Sequence, residues 1–358
     1  MTRRVVVGGV PIGGGAPVVV QSMTNTNTAD VAATVAQIQR LEAAGCEIAR
    51  VAVPDFAAAE ALPEIRRAIS IPLVADIHFD CRLALAAIDA GVDKLRLNPG
   101  NITDPARIGE VAEAAVKAAV PIRVGANSGS LAKEYLDPHG RATAAGMVES
   151  ALREIRLLEG HGVRDIVVSL KATDVRMTVD AYRAVAAEVE YPLHIGITEA
   201  GTAWEGAIRS AVGLGILLAE GIGDTVRVSL AGDPVDEVRA AYEILRSLGL
   251  RQRGVDLHVC PTCGRTGIDL ARIADEVRRA LADVVLPVKV ALMGCVVNGL
   301  GEVKGADVGL VGSRGQGTIY VGGEPTATAV PEDHLVDEVA ATVRTFVARR
   351  VREGGGRG

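Results

Sequence analysis

Three of the five cysteines lie in glycine-rich segments of the last third of the sequence. Cys260 and Cys263 have C-x-x-C spacing in the segment VCPTCGRTG, and Cys295 follows in the segment MGCVVNGLGE. A C-x-x-C pair occurs in zinc sites, in redox dithiols and at iron–sulfur clusters. The many glycines favour a cluster, because they let backbone N–H groups approach sulfur closely.

A fourth ligand has to come from another residue type, because no further cysteine lies nearby. Glu302, in the glycine-rich segment that follows Cys295, is the candidate. Three thiolates and one carboxylate suit an iron–sulfur cluster with one weakly held iron better than a closed structural zinc site. The donor set therefore predicts a metal centre that performs chemistry.

Zinc stays open as an alternative, because His258 and the three cysteines together form a Cys3His donor set. Zinc ribbons usually contain two C-x-x-C knuckles separated by about 15–20 residues. This chain has one knuckle and a single distant cysteine. The spacing favours the cluster over a zinc knot.

A second group of polar residues follows the predicted strands of the first 250 residues. Eight short segments rich in β-branched residues alternate there with longer segments of helical periodicity, many of which begin after a capping aspartate such as Asp30 or Asp104. This count and length predict an α/β fold with an N-terminal (β/α)8 TIM barrel. A doubly wound open sheet is the competitor, but no G-x-G-x-x-G fingerprint follows the first strand. The strand segments begin at Val18, Ile48, Pro72, Lys94, Pro121, Ile166, Pro192 and Thr225.

Three further segments complete the predicted organisation. Residues 4–20 predict a hairpin that plugs the bottom of the barrel, which occupies residues 1–254. Residues 255–350 predict a smaller α+β domain that carries the three cysteines. The glycine-rich tail, 351–358, is expected to be disordered.

The carboxyl ends of barrel strands converge on one face, where such enzymes have their active sites. Cations recur at these ends, and burying them without a counter-charge would be costly. A bound polyanion removes that cost, and arginine forks with Ser and Asn donors suit phosphate oxygens. The cations are Arg50, Arg96, Arg123, Lys171 and Arg227, and the accompanying residues are His78, Asn98, Asn127, Ser169, His194 and Ser229.

Two carboxylates stand among these cations, Asp76 and Glu199. Glu199 is the candidate catalytic acid, because a proton donor or acceptor is needed close to the reacting atoms. Asp76 could serve in the same way or orient a neighbouring base. His78 and His194 could bind the ligand or be satisfied histidines of the barrel rim.

Composition narrows the class of protein. The chain has 358 residues, 49% of them hydrophobic and 3% aromatic, and a net charge of −6. This charge gives no reason to expect nucleic-acid binding, and no apolar stretch is long enough to span a membrane. The irregular cysteine spacing is not a disulfide framework, so a reducing, cytoplasmic location is expected. Cys46 and Cys81 are interpreted as ordinary buried residues.

Taken together, the motifs resemble one family over nearly the whole chain. They are QSMTNT, ADIHF, LRLNPGN, IRVGANSGS, SLKAT, GITEAG, RVSL, CPTCGR and GCVVNGLGE. This combination resembles the 4-hydroxy-3-methylbut-2-en-1-yl diphosphate synthases of the non-mevalonate isoprenoid pathway, in their short bacterial two-domain form. No single motif of the set would carry the resemblance.

The resemblance implies an activity and its cofactor. Family members open the ring of 2-C-methyl-D-erythritol 2,4-cyclodiphosphate and remove one hydroxyl with two electrons. By this resemblance Cys260, Cys263 and Cys295 would ligate three irons of a [4Fe–4S] cluster. Glu302 would hold the fourth iron until a substrate oxygen displaces it. Glu199 would be the acid near the reacting carbons.

The resemblance also implies the binding residues and partners. A flavodoxin or ferredoxin would supply electrons, and a homodimer would place the cluster of one subunit against the barrel of the other. The diphosphate would be held by Arg96, Arg123, Asn127, Lys171, Arg227 and Ser229, with Arg50, Asp76, His78 and Asn98 completing the pocket. Ser169 is a further predicted substrate-binding residue.

Two other functions compete with this one. The first is a zinc-stabilised barrel enzyme without redox chemistry, such as a phosphate-ester lyase or a pterin-type synthase. The second is an electron-transfer or scaffold protein that uses the cluster alone. The cationic barrel mouth argues against the second, because a scaffold has no need of a phosphate pocket.

Overall fold

The computed structural model describes residues 1–78, 80–97 and 105–354. Its internal contacts divide the chain into two compact units, the first ending at Arg251 and the second beginning at Gln252.

The first unit alternates strands and helices along most of its length. Its strands are β1 (Val5–Val7), β2 (Val10–Ile12), β3 (Val19–Met23), β4 (Ile48–Ala52), β5 (Leu73–Ile77), β6 (Lys94–Leu97), β7 (Ile122–Asn127), β8 (Ile166–Lys171), β9 (His194–Ile195) and β10 (Thr225–Val226). Its helices are α1 (Val31–Ala44), α2 (Phe56–Ala68), α3 (Cys81–Asp89), α4 (Pro105–Ala118), α5 (Ala144–Gly160), α6 (Val175–Glu188), α7 (Ala203–Ala219) and α8 (Pro234–Ser247).

Eight of these strands form a parallel barrel, in the order β8-β7-β6-β5-β4-β3-β10-β9. A parallel bridge between Val168 and Leu193 joins the two end strands and closes the ring. The predicted (β/α)8 barrel is confirmed, and the alternative of an open doubly wound sheet is wrong.

Strand alternation separates two environments. On β5, Leu73, Ala75 and Ile77 belong to the apolar core beneath the helices. Val74 and Asp76 alternate with them, so they face the barrel interior. Because both faces of a barrel strand are buried, the sequence signal is a short continuous apolar run in which inward polar residues are easily overlooked.

Two strands are shorter than predicted. The segments beginning at Pro192 and Thr225 form only the two-residue strands β9 and β10. At Gly196 the backbone comes so close to its neighbours that an added Cβ would lie 2.4 Å from the Arg227 carbonyl oxygen and 2.8 Å from Lys171 Nζ. The chain leaves the regular ladder at this point because the two backbones and the lysine side chain share one small space.

The N-terminal hairpin closes one end of the barrel. Strands β1 and β2 pair antiparallel, and Val5, Val7 and Ile12 lie in one apolar cluster with the first inward residues of several barrel strands. Those residues are Val19, Ile48, Val74 and Val167. The predicted plug is confirmed, although the hairpin spans 5–12 and Val19 already belongs to the barrel.

Aspartate caps set the starts of several helices. Asp30 accepts a hydrogen bond from the Ala33 N–H, and Asp233 accepts one from the Val235 N–H. Such caps satisfy backbone donors that have no partner inside the helix. Asp104, a predicted cap, lies outside the described residues.

The second unit contains one five-stranded sheet, in the order β11-β12-β13-β14-β15, covered by helices. Its first three strands are parallel and the last two pairings are antiparallel. The elements are β11 (Val255–Val259), α9 (Leu270–Ala280), β12 (Val288–Met293), α10 (Val296–Glu302), β13 (Val308–Ser313), β14 (Gln316–Val321), β15 (Glu324–Pro331) and α11 (Leu335–Gly354).

Part of the second unit differs from expectation. Strands β11 and β15 were not predicted, because mixed sequences such as VDLHV and EPTATAVP lack a clear alternating pattern. The last helix extends to Gly354, so the prediction that disorder begins at 351 is wrong for its first residues. Within this last turn Arg349 and Glu353 form an i,i+4 ion pair, which supports the helix. Residues 355–358 lie outside the description.

Among the described residues, no helix combines the length and the hydropathy that a membrane crossing requires.

The plug provides a stability test with a matched control. Val7 is fully buried, whereas Val6 on the same strand is 48% exposed. We expect Val7→Ala to lower the free energy of barrel unfolding by about 2 kcal/mol through lost burial and the cavity left behind. Val6→Ala should change it by less than about 0.5 kcal/mol. Urea unfolding of both variants checks this, and equal losses would show that the hairpin does not contribute to the core.

Candidate functional site

The barrel register brings the predicted polar residues to one end. Asp76 on β5 lies opposite Arg96 on β6, and Arg96 lies opposite Arg123 on β7. Nearer the carboxyl ends, Asn127 on β7 lies opposite Lys171 on β8. Seven of the predicted residues are buried: Arg50, Asp76, Arg96, Arg123, Ser169, Lys171 and His194.

Asp76 is the shared counter-charge of three neighbours. Its Oδ1 accepts from Arg96 Nη1 at 2.9 Å and lies 3.3 Å from His78 Nε2, while Oδ2 is 3.7 Å from Arg50 Nε. Burial alone would raise the pKa of Asp76, but Arg50 and Arg96 outweigh it and hold the pKa below the ordinary aspartate range. An ionised, fully engaged carboxylate orients cations and is poorly suited to be a proton donor.

Arg227 has a carboxylate of its own, which comes from a helix. Its Nε and Nη2 donate to the two carboxylate oxygens of Glu237 on α8, at 3.1 and 2.8 Å. Glu237 is 3% exposed and also accepts from Ser22 Oγ and the Leu230 N–H. Sequence reasoning missed Glu237, because a helical glutamate beside an apolar face ordinarily reads as exposed.

Arg123 is the least satisfied cation of the site. It is 1% exposed, and its Nε and Nη1 atoms have no hydrogen-bond partner within the described ranges 1–78, 80–97 and 105–354. Burial and the nearby Arg50 and Arg96 lower its pKa well below the usual arginine value. Gly125 follows it along the inward side of β7, where an added Cβ would lie 2.9 Å from Arg96 Nε. The missing side chain leaves room for the arginines to lie side by side.

Lys171 is paired with a neutral partner. Its Nζ lies 3.1 Å from His194 Nε2, and His194 Nδ1 lies 3.3 Å from Thr225 Oγ1. Burial and the surrounding cations lower the pKa of His194 well below its ordinary value, so the ring is neutral and can accept from the lysine. Burial also lowers the pKa of Lys171. His194 is therefore a buried histidine of the barrel interior that contacts Lys171.

Lys94 is an interior cation that sequence reasoning did not select. It begins β6, is 0% exposed, and donates from Nζ to Gln21 Oε1 at 3.4 Å. The signal was present, because Lys94 and Arg96 alternate on one strand and must share a face.

The charges of this end do not balance. Within the described barrel, six basic side chains meet two carboxylates, Asp76 and Glu237, each already engaged. A cavity of this kind favours a multiply charged anion, because such a ligand supplies the missing counter-charge in a low-dielectric interior. The basic side chains are Arg50, Lys94, Arg96, Arg123, Lys171 and Arg227.

The remaining predicted residues lie around the rim. Asn127 and Ser229 are partly buried, and Glu199 is exposed and accepts from Thr173 Oγ1 at 3.3 Å. Glu199 has a φ of 51°, a left-handed conformation that costs a non-glycine residue about 1–2 kcal/mol. Asn98 lies outside the described residues, so its predicted role stays a prediction.

In the second unit, neighbouring parallel strands deliver two of the cysteines. Val259 ends β11 beside Leu292 of β12, and Cys260 follows the first strand while Cys295 follows the second. The loops pack closely, since the Gly267 N–H donates to the Gly294 carbonyl oxygen at 3.0 Å. The sequence therefore places C-x-x-C and the third cysteine at one sheet edge.

The thiols of this edge are accessible, unlike Cys46 and Cys81, which are buried as expected. Cys260 and Cys295 are partly buried and Cys263 is exposed, and all three are free thiols. Accessible thiolates in glycine-rich loops fit an iron–sulfur cluster. Across the described residues, no three His, Cys, Asp or Glu side chains gather closely enough to hold a metal ion.

The two candidate fourth ligands differ in their surroundings. Glu302 ends α10, the helix that Cys295 precedes, and its side chain is exposed. His258 Nε2 lies 3.0 Å from Asp256 Oδ2 on the same strand. Glu302 has an exposed carboxylate next to the Cys295 segment, whereas one imidazole nitrogen of His258 is engaged by a carboxylate and the other stays available.

Comparison with known proteins agrees with both units. Residues 2–242 match the GcpE TIM-barrel domain, and residues 256–345 match the GcpE protein C-terminal domain. A protein of Geobacter sulfurreducens named 4-hydroxy-3-methylbut-2-en-1-yl diphosphate synthase (flavodoxin) is 56% identical, over 98% of this chain and 99% of its own. One of the same name from Symbiobacterium thermophilum is 52% identical, over 99% of this chain and 97% of its own.

Two solved structures are similar to about two thirds of this chain. Dihydropteroate synthase from Stenotrophomonas maltophilia aligns with a TM-score of 0.53 at 16% identity, covering 69% of this chain and 98% of that one. The Yersinia pestis enzyme aligns with a TM-score of 0.51 at 12% identity, covering 70% and 100%. At these identities the likeness shows a shared fold.

The role of Asp76 as counter-charge gives a pH-dependent prediction. Asp76→Asn should lower the free energy of unfolding at pH 7 by about 3–5 kcal/mol, because buried arginines lose their partner. Since the pKa of Asp76 is lowered in the folded protein, its contribution is complete above about pH 5 and is lost as the pH falls toward the folded-state pKa.

We measure the free energy of unfolding of Asp76→Asn and of the wild type with denaturant. The difference between the two free energies should be constant from pH 8 to about pH 5 and should become smaller below about pH 4. Asp80→Asn is the control, because Asp80 is paired with Arg82 at the surface and should change stability by less than about 1 kcal/mol. A small difference at neutral pH would contradict the counter-charge role.

Proposed function

Since the chain belongs to the GcpE family of 4-hydroxy-3-methylbut-2-en-1-yl diphosphate synthases, we propose that its cationic barrel binds 2-C-methyl-D-erythritol 2,4-cyclodiphosphate and its cysteine unit carries the cluster that reduces it. The chain is an iron–sulfur oxidoreductase of the non-mevalonate isoprenoid pathway. The reaction opens the ring at a carbon–oxygen bond to phosphate, consumes two electrons and protons, and releases one hydroxyl as water.

The observation that carries this proposal is the excess of buried positive charge at the carboxyl end of the barrel. Among the described residues, Arg123 has two guanidinium nitrogens without partners, and the hydrogen bond of Lys171 goes to the neutral His194. Phosphate oxygens would supply the missing hydrogen-bond acceptors of both side chains. The other proposed contacts are Arg50, His78, Arg96, Asn98, Asn127, Ser169, Arg227 and Ser229.

These residues act by position and charge. Arg227 is fixed by two hydrogen bonds to Glu237, and Arg96 is fixed through Asp76, so the donors are oriented before the substrate arrives. Preorganised cations stabilise the negative charge that grows on the phosphate oxygen when the ring opens. Asp76 serves the site by orienting these cations and does not itself contact phosphate.

Cys260, Cys263 and Cys295 would hold three irons of a [4Fe–4S] cluster, with Glu302 at the fourth. When bound, the cluster supplies low-potential electrons and a Lewis-acidic iron for the departing oxygen. The exposed side chains of Val296, Val297 and Leu300 flank Cys295 and Glu302 and provide an apolar rim that can exclude water when the site is covered.

Glu199 is proposed as the acid that gives a proton to the departing hydroxyl. It follows β9 and so lies at the end of the barrel where the cations converge. Its left-handed backbone is energetically unfavourable, and such conformations are concentrated at functional sites. The rim position leaves its carboxylate accessible to a ligand above the arginines.

Reduced flavodoxin is the proposed electron donor, since the curated relatives carry flavodoxin in their names. Ferredoxin is an alternative donor. We further propose a homodimer in which the cluster domain, 255–350, of one subunit faces the barrel domain, 1–254, of the other.

The ligand assignment is tested by iron, acid-labile sulfide and zinc content together with turnover, on protein purified without oxygen. We expect about four irons and four sulfides per wild-type chain. Cys295→Ala should lose the cluster, because a thiolate ligand is removed. Glu302→Ala should keep much of the iron but lose most of the turnover with reduced flavodoxin.

Cys46→Ala is the matched control, because that thiol is buried in the barrel core and should leave the iron content unchanged. One zinc and no sulfide in the wild type would overturn the redox function. Wild-type turnover by Glu302→Ala would overturn its role as a ligand.

The dimer is tested by mixing two inactive variants. If each active site combines two subunits, Cys295→Ala and Glu199→Gln chains should form heterodimers in which one of the two sites is intact. A statistical mixture should then recover about a quarter of the wild-type activity, following from simple pairing in a two-fold dimer. Activity that stays at the level of the separate variants would contradict sharing between subunits.

A further inference from the structure

Among the described residues, Lys94 makes no ion pair, and its hydrogen bond goes to a neutral group. Its side chain is 0% exposed, and the hydrogen bond to the amide oxygen of Gln21 is 3.4 Å long. The amide nitrogen of Gln21 has no hydrogen-bond partner in the part of the chain that the structure describes. Lys94 comes two residues before Arg96 on β6. It therefore begins nearer the amino-terminal end of the barrel than Arg96 does.

Polar groups from every strand line the barrel interior in which Lys94 lies, and five of those described are cations. The carboxylate of Asp76 already lies within ion-pair distance of Arg50, Arg96 and His78. Glu237 already serves Arg227. The interior groups are Gln21 on β3, Arg50 on β4, Asp76 on β5, Arg96 on β6, Arg123 on β7, Lys171 on β8, His194 on β9 and Thr225 on β10, with Arg227 after β10, Tyr182 on α6 and Glu237 on α8.

In the free barrel this environment disfavours the charged ammonium. Burial lowers the pKa of Lys94 well below its ordinary value, and Arg123 and Arg50 lower it further. The described barrel offers no third carboxylate to reverse this. The neutral amine is therefore favoured until an anion enters.

We propose that Lys94 is a further residue of the substrate site, which takes up a proton from solvent when the doubly charged cyclic diphosphate binds and carries positive charge only in the occupied barrel. The inference rests on the proposed function. The step is an acid–base one, in which the amine of Lys94 gains a proton and becomes an ammonium, and no other bond changes.

The chemistry of the ligand makes this uptake observable. Each phosphate of the cyclic diphosphate carries one ester bond and one bridging oxygen, so each has a single strongly acidic group that is ionised throughout the neutral range. The ligand itself therefore takes up no proton on binding. The two charges that it introduces favour the protonated form of a nearby amine, strongly so in a low-dielectric interior.

The sign of the pH dependence follows from linkage. A group that is neutral in the free protein and protonated in the complex makes binding weaker as the pH rises. Uptake of one proton lowers the association constant about tenfold per pH unit, over the range between the free and bound pKa values of that group. Lys171, whose pKa is also lowered by burial, can add to this dependence.

Isothermal titration calorimetry measures the uptake directly. The cyclic diphosphate is titrated into oxidised, cluster-loaded protein without electron donor, so that no turnover occurs. The experiment is repeated in HEPES and in Tris, whose ionisation enthalpies differ, and the difference in heat gives the number of protons taken up. We expect about one proton or more for the wild type and about one fewer for Lys94→Met.

Lys94→Met keeps the length of the side chain and removes a buried, unpaired amine, so the fold should be kept, and an unchanged iron content and a Tm no lower than that of the wild type check this. Glu154→Gln is the control. Glu154 is a buried carboxyl on α5 whose pKa is raised to about 7 by burial, yet it belongs to a surface helix and should leave the uptake unchanged.

The outcomes separate the two proposals. Binding without dependence on the buffer, or equal uptake by Lys94→Met and wild type, overturns the role of Lys94 and leaves the proposed function standing. No binding of the cyclic diphosphate to the wild type overturns the proposed function and this inference with it. Uptake that falls in Lys94→Met but not in Glu154→Gln supports the assignment.

Discussion

Uncompensated positive charge inside the barrel is the constraint on which the rest of this structure depends. Cations are costly to bury, and each needs hydrogen bonds or counter-charge to remain inside. Asp76 and Glu237 meet part of this need, and the neutral acceptors Gln21 and His194 meet another part. What is left, above all at Arg123, favours a ligand with two phosphates. Apolar packing has to offset the free-energy cost of burying these cations. The large core between the strands and the helices provides this packing.

The fold was predictable because its signals are local. Runs of β-branched residues, aspartate caps and a glycine-rich hairpin each act within a few residues, and together they specify the barrel. The cations at the strand ends were predictable for the same reason, since strand ends converge in any parallel barrel. Strands β9 and β10 were predicted too long, because the close approach at Gly196 depends on Arg227 and Lys171, which come from other parts of the chain.

The partners within the site were less predictable than its members. Glu237 pairs with Arg227 from a helix, and His194 supports Lys171 from the next strand. Such pairs depend on the three-dimensional arrangement, and single residue types carry no sign of them. Lys94 was overlooked although it alternates with Arg96 on β6, a spacing that places both side chains on one face of the strand. In the cysteine unit the spacing indicated the donors, whereas strand β11, which delivers Cys260, had no clear pattern.

The hairpin of β1 and β2 limits the routes by which substrate and product can enter and leave the barrel. Val5, Val7 and Ile12 fill the amino-terminal end of the barrel with hydrocarbon, which a diphosphate cannot cross. The barrel is therefore closed at its amino-terminal end, and its polar interior opens at the carboxyl ends of the strands. Product has to leave by the opening through which substrate came, so the next molecule waits until the diphosphate has been released.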